Sequence, residues 1–229
     1  MPPDPVRTVV ADVAARLQAV VKTLDNASEL REVKHLEPAV VGALHDAYPT
    51  RSVAKNRKHP IPCWSPVGNV DVVMHPDTAN DPVVAIELKW CHVDKLYEGI
   101  WDLFKMALLS TTGAWAYLVT GAPLVAWEAG VGRELFDGTV HSPVDLCNVR
   151  LPWGQTLRAW DDLLWGGYDK CPTSVPAQIS TRVIAREPVT AGWELRVVRV
   201  GAVGEEMTAF NGGWPFPRPA DAVRPLRES

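Results

Sequence analysis

Apolar residues recur at three- and four-residue steps along the start of the chain. Val6, Val9, Val10, Val13, Leu17, Val20, Val21 and Leu24 form one stripe, which predicts an amphipathic helix over 4–24. Asp4 is a suitable cap for it, and Pro5 fits the first helical position, where a missing N–H costs nothing. A second helical stretch runs from Ser28 to about Ala47, with Leu30, Val33, Leu36, Val40, Val41 and Leu44 on one face. Pro38 lies inside it, so it either kinks the helix or starts a new one at Glu37-Pro38. The segment RSVAKNRKHPIP that follows reads as a loop, with Arg51, Lys55, Arg57, Lys58 and His59 close together.

The period then changes. GNVDVVMH (68–75) and PVVAIELKW (82–90) are rich in β-branched residues and are separated by the turn cluster PDTAND, which predicts a hairpin. Residues 94–110 return to the helical period, with Leu96, Ile100, Leu103, Phe104, Ala107 and Leu108 facing inward. GAWAYLVTG (113–121) is an apolar run bounded by glycines and reads as a buried strand. This order of elements predicts an α/β core with a mixed sheet. Residues 123–138 read as short strands or a loop pair, and 156–166 as a short helix. Residues 177–187 and 193–203 read as a second hairpin, followed by a Pro-rich tail over 211–229. The expected organisation is an N-terminal helix (1–27), a core (28–150), a C-terminal extension packed on it (151–210) and the tail.

Composition changes this picture little. The chain has 229 residues, 47% apolar and 22% charged, which excludes wholesale disorder, collagen and coiled coil. No run of apolar residues is long enough to span a membrane. The start, MPPDPVRTVV, lacks the basic and apolar regions of a signal peptide, so the expected location is the cytoplasm. The four cysteines form no CxxC or CxxH pair, which argues for reduced thiols rather than a zinc site. The formal net charge of −4 counts against a purely electrostatic nucleic-acid binder. Basic residues nevertheless cluster at 51–58 and again at 182–199, where Arg182, Arg186, Arg196 and Arg199 occur.

The chemistry lies in the first hairpin. With a tip near Ala79, cross-strand partners have residue numbers summing to about 158, so Asp71 falls opposite Glu87. Alternation sets Asp71, Glu87 and Lys89 on one face, and Val70, Val72, Met74, Val84, Ile86 and Leu88 on the other. Two carboxylates about 5 Å apart at their Cβ atoms repel unless a proton or a cation lies between them. A hard divalent cation, Mg²⁺ or Mn²⁺, suits such oxygen donors. It would polarise a phosphoryl oxygen and acidify a bound water, with Lys89 orienting that water or meeting the charge that develops.

Asp71, a turn, and then Glu87-Leu88-Lys89 resembles the PD-(D/E)xK nuclease superfamily. The flanking GNVDVVM, the helix containing DLFKM and the strand AWAYLVTG are similar to its αβββαβ, restriction-endonuclease-like core. The resemblance implies that Asp71 and Glu87 bind the metal, helped by the Leu88 carbonyl, and that Lys89 is catalytic. It also implies a glutamate from the preceding helix, for which Glu37 is the candidate with Glu32 and Glu29 in reserve. A lysine on the following helix would be Lys105. Pro76-Asp77, the literal Pro-Asp pair, would sit at the hairpin tip, away from Glu87, so Asp71 is preferred.

The resemblance further implies hydrolysis of DNA, with RNA second, and pairing of two chains to cut both strands. Arg51, Lys55, Arg57 and Lys58 are the candidate contacts to the phosphate backbone. Ordinary readings stand beside these. Lys105 follows Asp102 by three residues, the spacing of a surface ion pair, and Glu37 suits a helix N-terminus on dipole grounds alone. Trp64 and Trp90 flank the site strands and suit base stacking, although core packing is the usual role of tryptophan. The alternative function is an inactive nuclease-like fold that binds nucleic acid or protein.

Overall fold

The computed structural model describes residues 4–58, 69–78, 81–92, 96, 99–128, 133, 136, 174–176, 179–202 and 207–209. It is a mixed α/β structure built on one six-stranded sheet. Helix α1 (Pro5–Val21) begins where expected: the Asp4 carboxylate accepts hydrogen bonds from the Val6 and Arg7 amides, and Pro5 opens the first turn. Its apolar stripe is buried from Val6 to Leu17. The second helical stretch is divided. A 3₁₀ turn (Ala27–Glu29) and a π-helical turn (Glu32–Leu36) lead into α2 (Glu37–Ala47), and Pro38 sits in the first turn of α2 as a helix starter.

Strands β1 (Val53–Lys58), β2 (Asn69–Met74), β3 (Val84–Trp90), β4 (Trp115–Pro123), β7 (Trp193–Ala202) and β6 (Ile179–Thr190) are joined in the order β1-β2-β3-β4-β7-β6. Helix α3 (Gly99–Ser110) connects β3 to β4, the parallel pair. The turn after α3 places Gly113 at φ +85°, a conformation that glycine adopts without strain. Short strands β5 (Ser174–Pro176) and β8 (Met207–Ala209) pair separately.

Two expectations change. Residues 53–58, read as a loop, form edge strand β1. The sequence VAKNRK carries polar side chains that blunt an exposed edge, so the strand has no hydrophobic alternation to announce it. Asn56 in that strand holds the left-handed φ of 52°. The C-terminal hairpin, whose strands run over 179–190 and 193–202, pairs edge-on with β4 through β7 and so continues the central sheet. The stretch 123–138 begins with a 3₁₀ turn, Leu124–Trp127. The expected helix over 156–166, the tail over 211–229, His59, Trp64, Cys63, Cys147 and Cys171 lie outside the described residues.

The main core forms where α1 and α2 cover one face of the sheet. Val72, Met74, Val84, Ile86 and Leu88 pack there with Tyr117, Val119, Leu195 and Val197. Tyr117 ties this layer to α1, its hydroxyl donating to Asp4 at 2.8 Å. Helix α3 covers the other face, bringing buried Leu103, Met106 and Ala107 toward Leu118 and Val198. Trp90 is a core residue: it stacks on Trp193 at 5.3 Å and its indole N–H donates to the Ala27 carbonyl. The ring lies flat against Gly121, where a Cβ would fall 2.0 Å from it. Trp90 is thus enclosed by protein, which removes it as a base-stacking platform. Among the described residues, no helix is long and apolar enough to cross a membrane.

Candidate functional site

The expected hairpin register is observed. Val72 pairs with Ile86, Val73 with Ala85 and Met74 with Val84, each pair summing to 158. The ladder stops one step before Asp71 and Glu87. There the Asp71 side chain takes over a backbone role, its Oδ2 accepting the Leu88 amide at 2.9 Å. Asp71 is thereby fixed across the strand gap beside Glu87-Leu88-Lys89, at the point where β2 and β3 cease to pair.

Alternation along β3 turns Val84, Ile86 and Leu88 into the α1/α2 core and turns Glu87 and Lys89 toward α3. Glu87 is buried, and its Oε2 receives the Lys105 ammonium at 2.6 Å. Lys105 also lies 3.5 Å from Asp102, one turn back on α3. Lys89 stands 3.8 Å from Asp102 and 3.9 Å from Glu32, which lies at the start of the π-helical turn. The centre therefore consists of Glu32, Asp71, Glu87, Asp102, Lys89 and Lys105. Four carboxylates against two ammonium groups leave a formal excess of two negative charges.

Burial makes that excess costly. It pushes the Glu87 carboxyl well above its usual range, with Asp102 and Asp71 adding to the rise and Lys105 opposing it. Asp102 is raised for the same reason, with Lys105 and Lys89 opposing. Glu32 is pushed up to about 7 by burial, against the pull of Lys89. Burial alone would lower the Lys105 pKa, but Glu87 and Asp102 outweigh it and the pKa is raised. Glu87 Oε1, Asp102 Oδ2 and Thr120 Oγ1 are buried without a hydrogen-bond partner. Thr120 is the β4 neighbour of Lys89 in the parallel ladder, so these three belong to this side of the sheet; among the described residues the fourth such atom is Trp127 Nε1. Buried polar atoms are normally satisfied, and three left over in one region mark a place for water or an ion.

The donor chemistry fits a hard divalent cation: carboxylate oxygens, a formal deficit of two positive charges and an orphaned acceptor on Glu87. In the observed rotamers, however, no three His, Cys, Asp or Glu side chains among the described residues converge as a ligand set. Lys105 occupies the acceptor that a cation would use.

The remaining expected residues lie elsewhere. Glu37 is buried and receives Lys55 at 2.8 Å; Lys55 pairs with Val72 in the β1–β2 ladder, placing this ion pair on the α2 face, across the sheet from Glu87. The helical glutamate that reaches Lys89 is Glu32. Arg51 is held by Asp77 at 3.1 Å and Asp81 at 3.6 Å over the Tyr48 ring, so Asp77 serves a turn contact. Arg57 is exposed on the edge strand, and the Lys58 side chain lies outside the described residues. Arg196 is buried, donating to the Phe136 carbonyl over the face of Trp127. Arg199 lies over Trp115 near Asp4.

Asp102 is the residue that the sequence reading passed over. Its pairing with Lys105 is not a surface pair: both side chains are buried, at 7% and 10% exposure. The signal was present, because Asp102 lies one helical turn before the buried Met106. No protein-family model, curated protein or solved structure matches the chain.

Proposed function

We propose that the chain is a metal-dependent nuclease of the restriction-endonuclease-like fold that hydrolyses phosphodiester bonds of DNA, with RNA as the second substrate class. The observation that carries this reading is the Asp71 carboxylate bonded to the Leu88 amide, between Glu87 and Lys89, at the gap where β2 and β3 cease to pair, in a cluster with a formal excess of two negative charges. Asp71 and Glu87, aided by the Leu88 carbonyl, would hold Mg²⁺ or Mn²⁺. When bound, the metal supplies Lewis-acid polarisation of the scissile phosphate and acidifies water.

The protein groups divide the remaining work. Asp71 keeps Leu88 in place through its amide, which fixes the backbone between the two catalytic side chains. Lys89 is the only half-buried side chain of an otherwise buried strand, so its ammonium can meet substrate while Glu32 and Asp102 orient it. There it would steady charge developing on the phosphorane-like centre. Arg57, exposed on β1, is suited to backbone phosphates. Lys55 and Arg51 would first have to leave Glu37 and Asp77. A cytoplasmic location and pairing of two chains to cut both strands accompany this reading.

The 2.6 Å Lys105–Glu87 contact favours a second reading, an inactive nuclease-like module that binds nucleic acid or protein without a metal. Incubation of the purified chain with supercoiled plasmid and Mg²⁺ or Mn²⁺ separates the two. Cleavage that disappears in Asp71→Ala and Lys89→Ala supports the nuclease. Cleavage that persists in both variants removes the site, and absence of cleavage together with a melting temperature indifferent to Mn²⁺ supports the module.

A further inference from the structure

We propose that Lys105 is an internal counter-cation that holds the metal position of the cluster and is displaced onto Asp102 when a divalent ion binds. This rests on the metal-binding reading of Asp71 and Glu87, and it assigns to α3 a role beyond packing. The Lys105 nitrogen is 2.6 Å from Glu87 Oε2 and 3.5 Å from Asp102 Oδ1, so one rotamer change transfers the ammonium between two buried carboxylates. Each carboxylate has one oxygen with no hydrogen-bond partner, Oε1 on Glu87 and Oδ2 on Asp102. Lys89 faces Asp102 Oδ2 only at 3.8 Å, beyond hydrogen-bond distance, so an acid that loses Lys105 is expensive to bury.

A cation on Glu87 resolves the conflict. It takes over the acceptors that Lys105 leaves, and Lys105 then serves Asp102 fully. The two changes relieve the same deficit and give Asp102 a part in the cluster without making it a metal ligand. Asp102 is in this sense a positioning residue, acting through Lys105.

The test uses the full chain. Calorimetric titration with MnCl₂ compares the wild type with Lys105→Met, and thermal melting establishes that each is folded; Lys105→Gln substitutes if the methionine variant does not fold. Removing the competing ammonium should tighten Mn²⁺ binding by about tenfold, the ratio set by ~1.4 kcal/mol. A ¹H–¹⁵N spectrum of the wild-type lysine ammonium groups, with Lys105 identified by its loss in the variant, supplies a readout that simple charge removal does not move. Titration with Mg²⁺ should shift the Lys105 signal, and the shift should be lost in Asp102→Asn. Metal binding without movement of that signal, or with equal affinity in wild type and variant, overturns the exchange while leaving the metal site intact. Failure of both proteins to bind Mg²⁺ and Mn²⁺ overturns the metal-binding reading and the exchange together.

Discussion

Glu32→Gln isolates the electrostatic cost of assembling the cluster. The Glu32 carboxyl is displaced from 4.5 to about 7, chiefly by burial, with Asp71 and Asp102 contributing and Lys89 opposing. The folded state therefore keeps a proton that the unfolded chain releases near 4.5, and it binds more protons throughout the window between the two values. Stability falls as pH rises through that window and levels off above about 7. At ~1.4 kcal/mol per pH unit the loss would reach ~3 kcal/mol. The side chain is 32% exposed, so solvent screening reduces the figure to ~1–2 kcal/mol.

Glutamine keeps the shape of the neutral acid and cannot ionise. In EDTA, the variant and the wild type should have similar urea-unfolding free energies at pH 4, and the variant should be more stable by ~1–2 kcal/mol at pH 8. Adding Mn²⁺ at pH 8 should stabilise the wild type by RT ln(1 + c/Kd), where c is the free Mn²⁺ concentration, an increment that keeps growing after the site is filled. A variant less stable than the wild type at pH 8, or a difference that does not change between the two pH values, would refute this account of the cluster.

Two further substitutions probe how the site is supported. Gly121→Ala introduces a Cβ 2.0 Å from the Trp90 ring, and the tryptophan is already confined by Trp193, so urea unfolding should show a loss of at least ~1–3 kcal/mol. Wild-type stability in this variant would mean that the Trp90–Gly121 packing is wrong. Asp4→Ala removes the cap of α1 and the acceptor of the Tyr117 hydroxyl, for an expected cost of ~1–2 kcal/mol with metal affinity unchanged. A thermal melt identical to that of the wild type would contradict it.

Much of this arrangement is legible in the sequence because period and turn chemistry agree. The hairpin register follows from a turn centred near Ala79, and the opposite faces of β3 follow from alternation alone. The same logic fails at β1, where Lys55, Asn56 and Arg57 satisfy an exposed edge rather than a core. It also fails between Leu30 and Glu37. A π-helical turn shifts the phase of the helix, so the glutamate nearest Lys89 is Glu32, whereas counting from α2 favours Glu37. Asp102 and Lys105 are hidden for a different reason. Spacing of three along a helix describes a solvated pair and a buried one equally well, and only the packing of α3 against β3 and β4 distinguishes them.

The central claim concerns Lys89 acting with the Asp71–Glu87 carboxylates on a phosphodiester. It is tested most directly by single-turnover cleavage of end-labelled DNA and RNA oligonucleotides, single- and double-stranded, at saturating Mn²⁺. Wild type and Lys89→Ala should be compared after calorimetry shows that both bind the metal. The predicted result is a wild-type rate that vanishes in EDTA and falls by ~10²-fold or more in Lys89→Ala, the usual scale for a group that stabilises transition-state charge. An undiminished rate in Lys89→Ala, or no hydrolysis of any of these substrates by metal-loaded wild type, would contradict it.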